Sequence, residues 1–438
     1  MKRSIDKVLK EWKDKPDRLV LLLRGARQVG KTYSARVLGA MFSNFLEINF
    51  EEQAQTRIFF EGDLNVHEIC EKFSAYSGVP IVPGETLVFF DEVQACPGCL
   101  RALRFFHEKM PGLHVIAAGS LLEFAISEIP SFGVGRISSF FMYPMSFMEF
   151  LHAEGSELLA DYVLKNGVLK PLDKAIHDKL LERLRIFLMI GGMPAVVDAY
   201  CKSRNLIDCM EILDGLLISL MDDLAKYGKK AAPAMLRDTL RAVSHQAGGK
   251  FKYAAVGEGL SARETKLSLD ILERAGLIYR IYHTAARGIP LGAQINDRRF
   301  KIIPLDVGLH QRLLGLDLSE HIVMSHDRMV NRGNNAEIFA GVELIACGSC
   351  RRRPEIFYWH REQRDSNAEV DYVIQSGEKI LPIEVKSGSR GRMQSLRIFM
   401  EERGLDLGVR VSEENFSRYG KITVLPLYAA GSLVSANF

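Results

Sequence analysis

The sequence predicts an α/β protein of several domains, and three observations support this prediction. Its 438 residues exceed the usual size of one domain. The first 150 residues alternate helical patterns with short apolar runs typical of buried parallel strands, which are Leu19–Leu23, Phe45–Phe50, Thr86–Phe90 and His114–Ala118. A long helical region follows, and alternating helical and apolar patterns return after residue 336. We therefore expect two α/β regions separated by helices.

These patterns divide the chain into four predicted domains. They are an α/β core, a helical lid, a winged-helix domain and a second α/β domain, at residues 1–150, 151–230, 231–320 and 321–438. The winged-helix prediction depends on three short helical patterns that are followed by an apolar strand at Leu277–Tyr282. The charged segment Met324–Asn335 is rich in Asn and Gly, which is typical of a linker.

Composition and charge exclude several classes of protein. The chain has 57 Lys and Arg against 54 Asp and Glu, so any nucleic-acid surface must be a local patch. Its longest uncharged stretches, such as Ile186–Val197, are shorter than the ~18 apolar residues of a membrane-spanning helix. The N-terminus lacks the apolar core of a secretory signal, and seven cysteines fit reduced thiols. We therefore expect a cytoplasmic protein without a membrane partner.

A phosphate-binding loop is the most specific motif of the sequence. The pattern Gly-x-x-x-x-Gly-Lys-Thr follows the first strand and precedes a helix, as a P-loop requires. Glycines let backbone N–H groups turn toward phosphates, while the lysine reaches the β and γ phosphates and the threonine hydroxyl joins the magnesium shell. The predicted ATP-binding residues are Gly25, Ala26, Arg27, Gln28, Val29, Gly30, Lys31, Thr32 and Tyr33.

Carboxylates at the end of a later strand complete the predicted ATP site. Asp91 and Glu92 end the apolar run Leu87–Phe90, where Asp91 can support magnesium and Glu92 can polarise the attacking water. Ser120 ends the next strand and is a candidate γ-phosphate sensor, although a turn serine is the alternative. Arg136 is a candidate for the cation that a neighbouring subunit of a homo-oligomer supplies, and an ordinary surface arginine is the alternative.

Several sequence strings resemble a known family. GARQVGKT, LVFFDEVQ, AAGSLLE, VGRI, YPMSFMEF and GGMPAVV are similar to those of a large family of uncharacterised bacterial and archaeal AAA ATPases. This family is on the branch that contains origin-recognition and STAND-type ATPases. The resemblance implies a P-loop AAA-type ATPase core and places Pro194 of the lid near the nucleotide. A simple helix break at the Gly-Gly-Met-Pro sequence explains the same residues.

A second candidate site lies in the C-terminal region. Asp371 and Glu384 are on neighbouring predicted strands, Lys386 follows Glu384, and Glu337 is on the preceding helix. Pairing of the strands brings Asp371 and Glu384 to one edge of the sheet. There they can hold a second Mg²⁺ or an Mn²⁺ that activates water for attack on a phosphodiester.

This region resembles the PD-(D/E)xK, or restriction-endonuclease-like, nuclease fold. The resemblance places Glu337 and Glu343 on its helix motif, and it implies that the domain engages DNA. Gln394 departs from the family pattern, which often has lysine there. Acidic hairpins with a lysine also form simple salt bridges, and members of this fold bind nucleic acid without cutting it, so cleavage and binding alone both stay open.

Basic residues in two regions favour a DNA partner. The first set accompanies the nuclease-like domain and comprises Arg351, Arg352, Arg353, Arg390, Arg392 and Arg397. The second set is Arg263, Lys266 and Arg274, on a helix that can read a major groove or act as a spacer between proteins. We expect a magnesium-dependent ATPase that drives assembly or remodelling of DNA complexes. The alternative is a STAND-like nucleotide switch whose C-terminal domain only binds a partner.

Overall fold

A computed structural model describes residues 1–120, 122–127, 135–166, 170–224, 231–256, 259–317, 332–361, 368–388 and 393–435. The chain divides into two compact units. The first unit contains Lys2–Tyr143 and Cys350–Arg353, and the second contains Met1, Pro144–Ser349 and Pro354–Phe438. Within the described residues, no helix is both long enough and apolar enough to cross a membrane.

The first unit alternates helices and strands in chain order. Its elements are α1 (Ser4–Asp14), β1 (Val20–Arg24), α2 (Lys31–Gly39), β2 (Asn44–Asn49), α3 (Val66–Ser77), β3 (Thr86–Asp91), α4 (Pro97–Lys109), β4 (His114–Ala118), α5 (Leu122–Ser127) and β5 (Ile137–Phe141). The strands form one parallel sheet in the order β2-β3-β4-β1-β5. The predicted parallel α/β core is confirmed.

The order of these strands positions the candidate ATP site. Strand β1 lies between β4 and β5, and the carboxyl ends of all parallel strands point to the same edge of the sheet. The loop after β1 therefore lies at the same edge as the residues after β3 and β4. Five phenylalanine rings pack against one another on one face of the sheet and fix β3 in the core. They are those of Phe50, Phe60, Phe73, Phe90 and Phe106.

The second unit begins with helices and continues into a mixed sheet. Its helices are α6 (Phe147–Ala153), α7 (Glu157–Asn166), α8 (Lys174–Ile190), α9 (Pro194–Ser203), α10 (Leu206–Asp223), α11 (Pro233–Gln246), α12 (Ala262–Arg274), α13 (Val307–Leu313), α14 (Arg332–Ala346), α15 (Gln394–Arg403) and α16 (Ser432–Ser435). Its strands are β6 (Ile278–Thr284), β7 (Ile295–Pro304), β8 (Ile356–His360), β9 (Glu369–Ser376), β10 (Lys379–Val385), β11 (Gly408–Ser412), β12 (Ser417–Tyr419) and β13 (Ile422–Pro426).

One sheet of eight strands joins regions that the sequence assigns to different domains. Its order is β12-β13-β11-β10-β9-β8-β6-β7. The hairpin β6–β7 is the predicted ribbon of the winged helix, and β6 also pairs with β8 in parallel. A two-stranded ribbon is only marginally stable alone, and pairing with β8 extends the sheet that supports it. The sheet therefore continues across the predicted boundary at residue 320.

Candidate nucleotide site and C-terminal acidic cluster

The phosphate loop connects β1 to α2 and needs glycine at two positions. Gly25 has a φ of +145°, and a Cβ atom there would lie 2.2 Å from the carbonyl oxygen of Met142. Gly30 caps α2 with a φ of 98°, in the left-handed region that favours glycine. Gln28 also has a positive φ, of 65°. The backbone thus forms a compact turn that opens onto the N-terminus of a helix, which is a favourable place for a phosphate.

Lys31 lies inside this loop. Its Nζ donates hydrogen bonds to the carbonyl oxygens of Gly25, at 3.0 Å, and of Ala26, at 2.8 Å. Burial lowers the pKa of Lys31 to about 8, against the opposing effect of nearby Glu92 and Asp91. The loop carbonyls therefore hold the ammonium group close to the backbone that is predicted to surround the phosphates.

Arg3 braces the same loop from the N-terminal end of α1. Its guanidinium donates to the carbonyl oxygen of Val29 at 2.9 Å and to that of Tyr143 at 2.8 Å. The side chain is buried. Sequence reasoning missed this residue, because a basic residue near the start of a polar helix has no pattern that indicates a distant backbone partner.

The predicted magnesium ligands are in contact. The hydroxyl of Thr32 donates to Oδ2 of Asp91 across 2.7 Å, which joins the first turn of α2 to the end of β3. Burial raises the pKa of Asp91, and the hydrogen bonds from Thr32 and from the backbone of Glu92 oppose that rise. A hydroxyl beside a carboxylate is a donor set of oxygens, which suits Mg²⁺.

Glu92 has an unusual backbone conformation and two side-chain partners. Its φ is 50°, in the left-handed region that non-glycine residues rarely occupy. Its Oε2 accepts hydrogen bonds from Nε2 of Gln94, at 2.5 Å, and from the hydroxyl of Ser120, at 3.4 Å. The amide oxygen of Gln94 lies so close to Gly119 that a Cβ there would approach it to 2.1 Å. Sequence reasoning found Glu92 and Ser120 but missed Gln94.

Three other residues predicted to contact the nucleotide differ in their exposure to solvent. Tyr33 is exposed on α2, and Arg27 is half-buried in the loop near Lys31. Arg136 precedes β5, is about half exposed, and forms an ion pair with Glu108 at 3.0 Å. The structure places Arg136 on the surface of its unit, which is compatible with either of its two predicted roles.

Pro194 belongs to the second unit, where it is the first residue of α9. The preceding glycines allow a close backbone approach, since a Cβ on Gly192 would lie 2.0 Å from the carbonyl oxygen of Met145. Buried Asp306 accepts a hydrogen bond from the backbone N–H of Gly192 at 2.6 Å. These contacts give the Gly-Gly-Met-Pro sequence a structural role within its own unit.

The C-terminal carboxylates surround a lysine that the sequence did not indicate. Lys301 Nζ lies 2.6 Å from Glu337, 2.7 Å from Glu369 and 3.6 Å from Asp371. Burial alone would lower the pKa of Lys301, but the three carboxylates raise it well above its ordinary value. Lys250 adds a second ammonium 2.7 Å from Glu369. We call this group, together with Glu384 and Lys386, the acidic cluster.

The predicted edge of the nuclease-like site is assembled beside Lys301. Asp371 accepts a hydrogen bond from the backbone N–H of Val385 at 2.8 Å, across β9 and β10. Lys386 Nζ lies 2.6 Å from Oε1 of Glu384. Burial raises the pKa of Glu384, and Asp371 adds to that rise. The pairing of β9 with β10 and the packing of α14 against this sheet therefore bring together all four side chains that the sequence singled out, Glu337, Asp371, Glu384 and Lys386.

This arrangement does not fit a second metal ion. Lysine ammonium groups neutralise the carboxylates, and one oxygen of Asp371 is used by the backbone of β10. Across the described ranges, no group of three or more His, Cys, Asp or Glu side chains is placed to hold a metal ion. Only Oε2 of Glu384 is buried without a hydrogen-bond partner in this cluster, as far as the structure describes it.

Glu343, which the resemblance also places on the helix motif, contacts a different element. It accepts a hydrogen bond at 2.8 Å from the backbone N–H of Phe147, in the first turn of α6, and lies 3.8 Å from the thiol of Cys347. Burial raises its pKa to about 8. Ser146 and Glu149 form a capping box at the same helix end. The carboxyl of Glu343 thus contacts the N-terminus of α6.

The arginines predicted to favour DNA fall into two groups. Arg353 pairs with Glu123 at 2.8 Å, and Arg351 lies 3.6 Å from Glu11, all within the first unit. These ion pairs give Arg351 and Arg353 local partners. Arg352 is exposed, as is Arg397 on α15, whereas Arg390 and Arg392 lie outside the described residues.

Comparison with known proteins assigns a class to the first unit. Residues 17–151 match a family model described as an AAA domain, which includes the phosphate loop and the carboxylates after β3. Residues 181–320 and 332–430 match two further models, each described as a domain of unknown function. Together with the geometry of the P-loop, this match shows that residues 17–151 have the α/β fold of a P-loop ATPase and are similar to an AAA domain.

Similar chains and structures are known in mycobacteria and archaea. Uncharacterized proteins of Mycobacterium tuberculosis and Mycobacterium bovis are each 24% identical over 381 residues, which are 84% of this chain and 70% of the relative. The Walker-type ATPase of Pyrococcus abyssi has a TM-score of 0.45 at 16% identity and covers 70% of this chain and 94% of its own. The Aeropyrum pernix ORC1 protein in complex with DNA has a TM-score of 0.28 at 12% identity, covering 73% and 92%.

Proposed function

We propose that the first unit hydrolyses ATP with magnesium. The observation that carries this proposal is the 2.7 Å contact between Thr32 and Asp91 beside the phosphate loop. The loop residues from Gly25 to Tyr33 bind the phosphates, and Lys31 supplies a cation to the β and γ phosphates. Magnesium held by Thr32 and Asp91 would neutralise charge on those phosphates. Within this site, Lys31 exchanges its loop carbonyl partners for phosphate oxygens.

Glu92 is the proposed base of the hydrolysis. Phosphoryl transfer to water needs a group that orients the attacking water and accepts its proton. Glu92 is next to Asp91 and carries a carboxylate that Gln94 and Ser120 already hold in one orientation. Ser120 then senses the γ phosphate through the same hydroxyl that contacts Glu92. Arg136, exposed before β5, serves a neighbouring subunit of a homo-oligomer.

DNA is the proposed partner of the second unit, and ATP hydrolysis drives assembly or remodelling of the complex. Helix α12 exposes Arg263, Lys266 and Arg274, while its apolar side packs inward at Leu269 and Leu272. Helices α11 and α12 pack together, and α12 contacts β6 of the hairpin, as expected for a helix–helix–ribbon DNA reader. Strand β7 carries two further exposed arginines, Arg298 and Arg299.

A STAND-like nucleotide switch is the second candidate. The observation that favours it is the buried ammonium group of Lys301, which contacts Glu337 and Glu369 in the space that a metal ion of a nuclease would need. The two candidates differ in what gates the ATPase. A DNA machine is stimulated by DNA, whereas a switch gated by a protein is not.

A multiple-turnover ATPase assay with and without duplex DNA tests the proposal. We expect DNA to increase the turnover of the wild-type protein and the double variant Arg263→Ala/Lys266→Ala to lose that increase. The matched control is Lys174→Ala/Lys179→Ala, which removes two exposed charges from α8 and should keep the response. Equal turnover with and without DNA would favour the switch, and no turnover at all would reject the ATPase.

A further inference from the structure

The acidic cluster of the second unit contains its own cation. Lys301 is only 1% exposed, and its ammonium contacts the carboxylates of Glu337 and Glu369 and approaches that of Asp371. We propose that Lys301 takes the place of a divalent ion among these carboxylates, so that the second unit binds DNA without cutting it. The DNA-binding part of this proposal rests on the proposed function. The exclusion of a metal ion rests only on the contacts within the acidic cluster.

The position of Lys301 explains how a buried ammonium is tolerated. The residue is on β7, opposite Ile281 of β6, and its Nζ lies 5.4 Å from the ring centre of Tyr358. An ammonium group that loses its water is stable only if carboxylates and hydrogen bonds replace that water. Three carboxylates and an aromatic ring supply this replacement here.

The charges of the cluster nearly balance without a metal. Its four carboxylates are Glu337, Glu369, Asp371 and Glu384, and its three ammonium groups are those of Lys250, Lys301 and Lys386. With every group ionised, four negative and three positive charges leave one negative charge, and burial, which raises the pKa of Glu337 and of Glu384, reduces that negative charge further. A divalent ion added to this set would meet Lys301 at close range, and two cations in a desolvated site repel each other strongly. Lys301 and a metal ion are therefore alternatives.

Lys301 reaches the carboxylates because its strand, β7, belongs to the same sheet as β9 and β10. Strand β7 precedes the C-terminal region whose strands carry Asp371 and Glu384, and it reaches their sheet through the pairing of β6 with β8. The sheet extension described above thus places the lysine beside the predicted metal ligands. Removal of Lys301 should leave Glu337, Glu369 and Asp371 with an unpaired charge that a divalent ion can neutralise.

Titration of the nucleotide-free protein with MnCl₂, followed by electron paramagnetic resonance, tests this proposal. The comparison uses the wild type, Asp371→Asn, Lys301→Met and the double variant Lys301→Met/Asp371→Asn. We expect the wild type and Asp371→Asn to bind Mn²⁺ identically, because any binding at Thr32 and Asp91 is common to both. We expect Lys301→Met to gain one site, at least tenfold tighter than any in the wild type, and the double variant to lose it.

Lys250→Met is the matched control, since Lys250 also contacts Glu369 but is partly exposed. It should gain no Mn²⁺ site. An Mn²⁺ site in the wild type that Asp371→Asn removes would overturn the proposal, as would a folded Lys301→Met that gains none. If Lys301→Met does not fold, the wild type and Asp371→Asn still decide whether the native cluster takes a metal.

Cleavage and DNA binding are measured on the same wild-type protein. Single-stranded, duplex and branched DNA are incubated with MgCl₂ or MnCl₂, and binding is followed by fluorescence anisotropy. We expect binding without cleavage, and cleavage that depends on Asp371 would overturn the proposal. Absence of DNA binding would reject the proposed partner alone, because the Mn²⁺ titration decides the role of Lys301 independently.

Discussion

The side-chain amide of Gln94 donates a 2.5 Å hydrogen bond to the carboxylate of Glu92. Glu92 itself has a φ of 50°, a conformation that costs free energy for a residue with a side chain. The residue thus has an unfavourable backbone conformation and a carboxylate held by Gln94 and Ser120. We infer that Gln94 positions the carboxylate of Glu92, the proposed base.

Replacement of Gln94 by Leu should therefore slow hydrolysis without weakening ATP binding. Leucine keeps the approximate size of the side chain but removes the amide, so the carboxylate of Glu92 loses one of its two partners. A small misplacement of a catalytic group reduces kcat by roughly 10- to 100-fold. Steady-state kinetics and nucleotide-binding measurements should show a lower kcat with an unchanged Kd for ATP.

A double-mutant comparison separates positioning from a general structural effect. In the Glu92→Gln background, Gln94→Leu should have little further effect on kcat, because the group that it positions has already lost its charge. If the two changes reduce kcat by independent, multiplying factors, Gln94 acts on some other part of the site.

Replacement of Glu92 by Gln should preserve ATP binding and reduce turnover by about 10²- to 10⁴-fold, the usual contribution of a general base. Glutamine keeps the shape and the hydrogen bonds but cannot take a proton from water. Lys31→Ala is the contrasting variant, since loss of the loop ammonium should reduce both nucleotide affinity and turnover. Normal turnover in Glu92→Gln would move the catalytic role to another residue.

Local patterns were sufficient to predict the P-loop fold and to name the candidate nucleotide residues. The P-loop and the carboxylates after β3 are read from consecutive residues, and the parallel order of strands then brings their ends together. The edge strand β5 was not predicted, because only Phe140 among its five residues is fully buried and no apolar run marks it. An edge position alone does not prevent prediction, since the other edge strand, β2, was predicted from the apolar pattern at Phe45–Phe50.

Contacts between residues that are far apart in the sequence could not be predicted from local patterns. Arg3 donates to Tyr143 across 140 positions, and Lys301 meets Asp371 only because β7 joins the C-terminal sheet. A lysine within a basic and apolar strand carries no local sign of a carboxylate partner. The sequence thus identified Glu337, Asp371 and Glu384 of the acidic cluster, but the cation at its centre follows only from the fold.

The role proposed for Arg136 in a neighbouring subunit gives a prediction for mixed subunits. Arg136→Ala should bind ATP normally and hydrolyse it poorly, because the developing charge on the γ phosphate loses its cation. Mixing it with Lys31→Ala subunits should restore part of the activity, since an Arg136→Ala subunit with an intact loop then receives Arg136 from its neighbour. Arg101→Ala, which removes another exposed arginine of the same unit, is the control. Failure of rescue at every mixing ratio would make Arg136 an ordinary surface residue.

The buried carboxyl of Glu343 predicts how stability changes with pH. Its pKa rises from the ordinary 4.5 to about 8 in the folded protein, chiefly because burial disfavours the charged form. The folded chain therefore keeps a proton that the unfolded chain releases above pH 4.5. Stability from this group is fully present below pH 4.5 and is lost as pH rises toward about 8, by up to ~1.4 kcal/mol per pH unit.

Glu343→Gln should remove this dependence and keep the fold. The glutamine oxygen can still accept the hydrogen bond from the backbone N–H of Phe147, which the carboxyl now accepts at 2.8 Å. Scanning calorimetry from pH 5.5 to 8.5 should show a Tm difference, variant minus wild type, that increases with pH. Glu343→Ala is the control, because loss of the acceptor should lower the Tm even at pH 5.5, where the carboxyl is protonated. Parallel Tm profiles for the wild type and Glu343→Gln would mean that the carboxyl has the same pKa in the folded and unfolded chains, and that burial at α6 does not hold its proton.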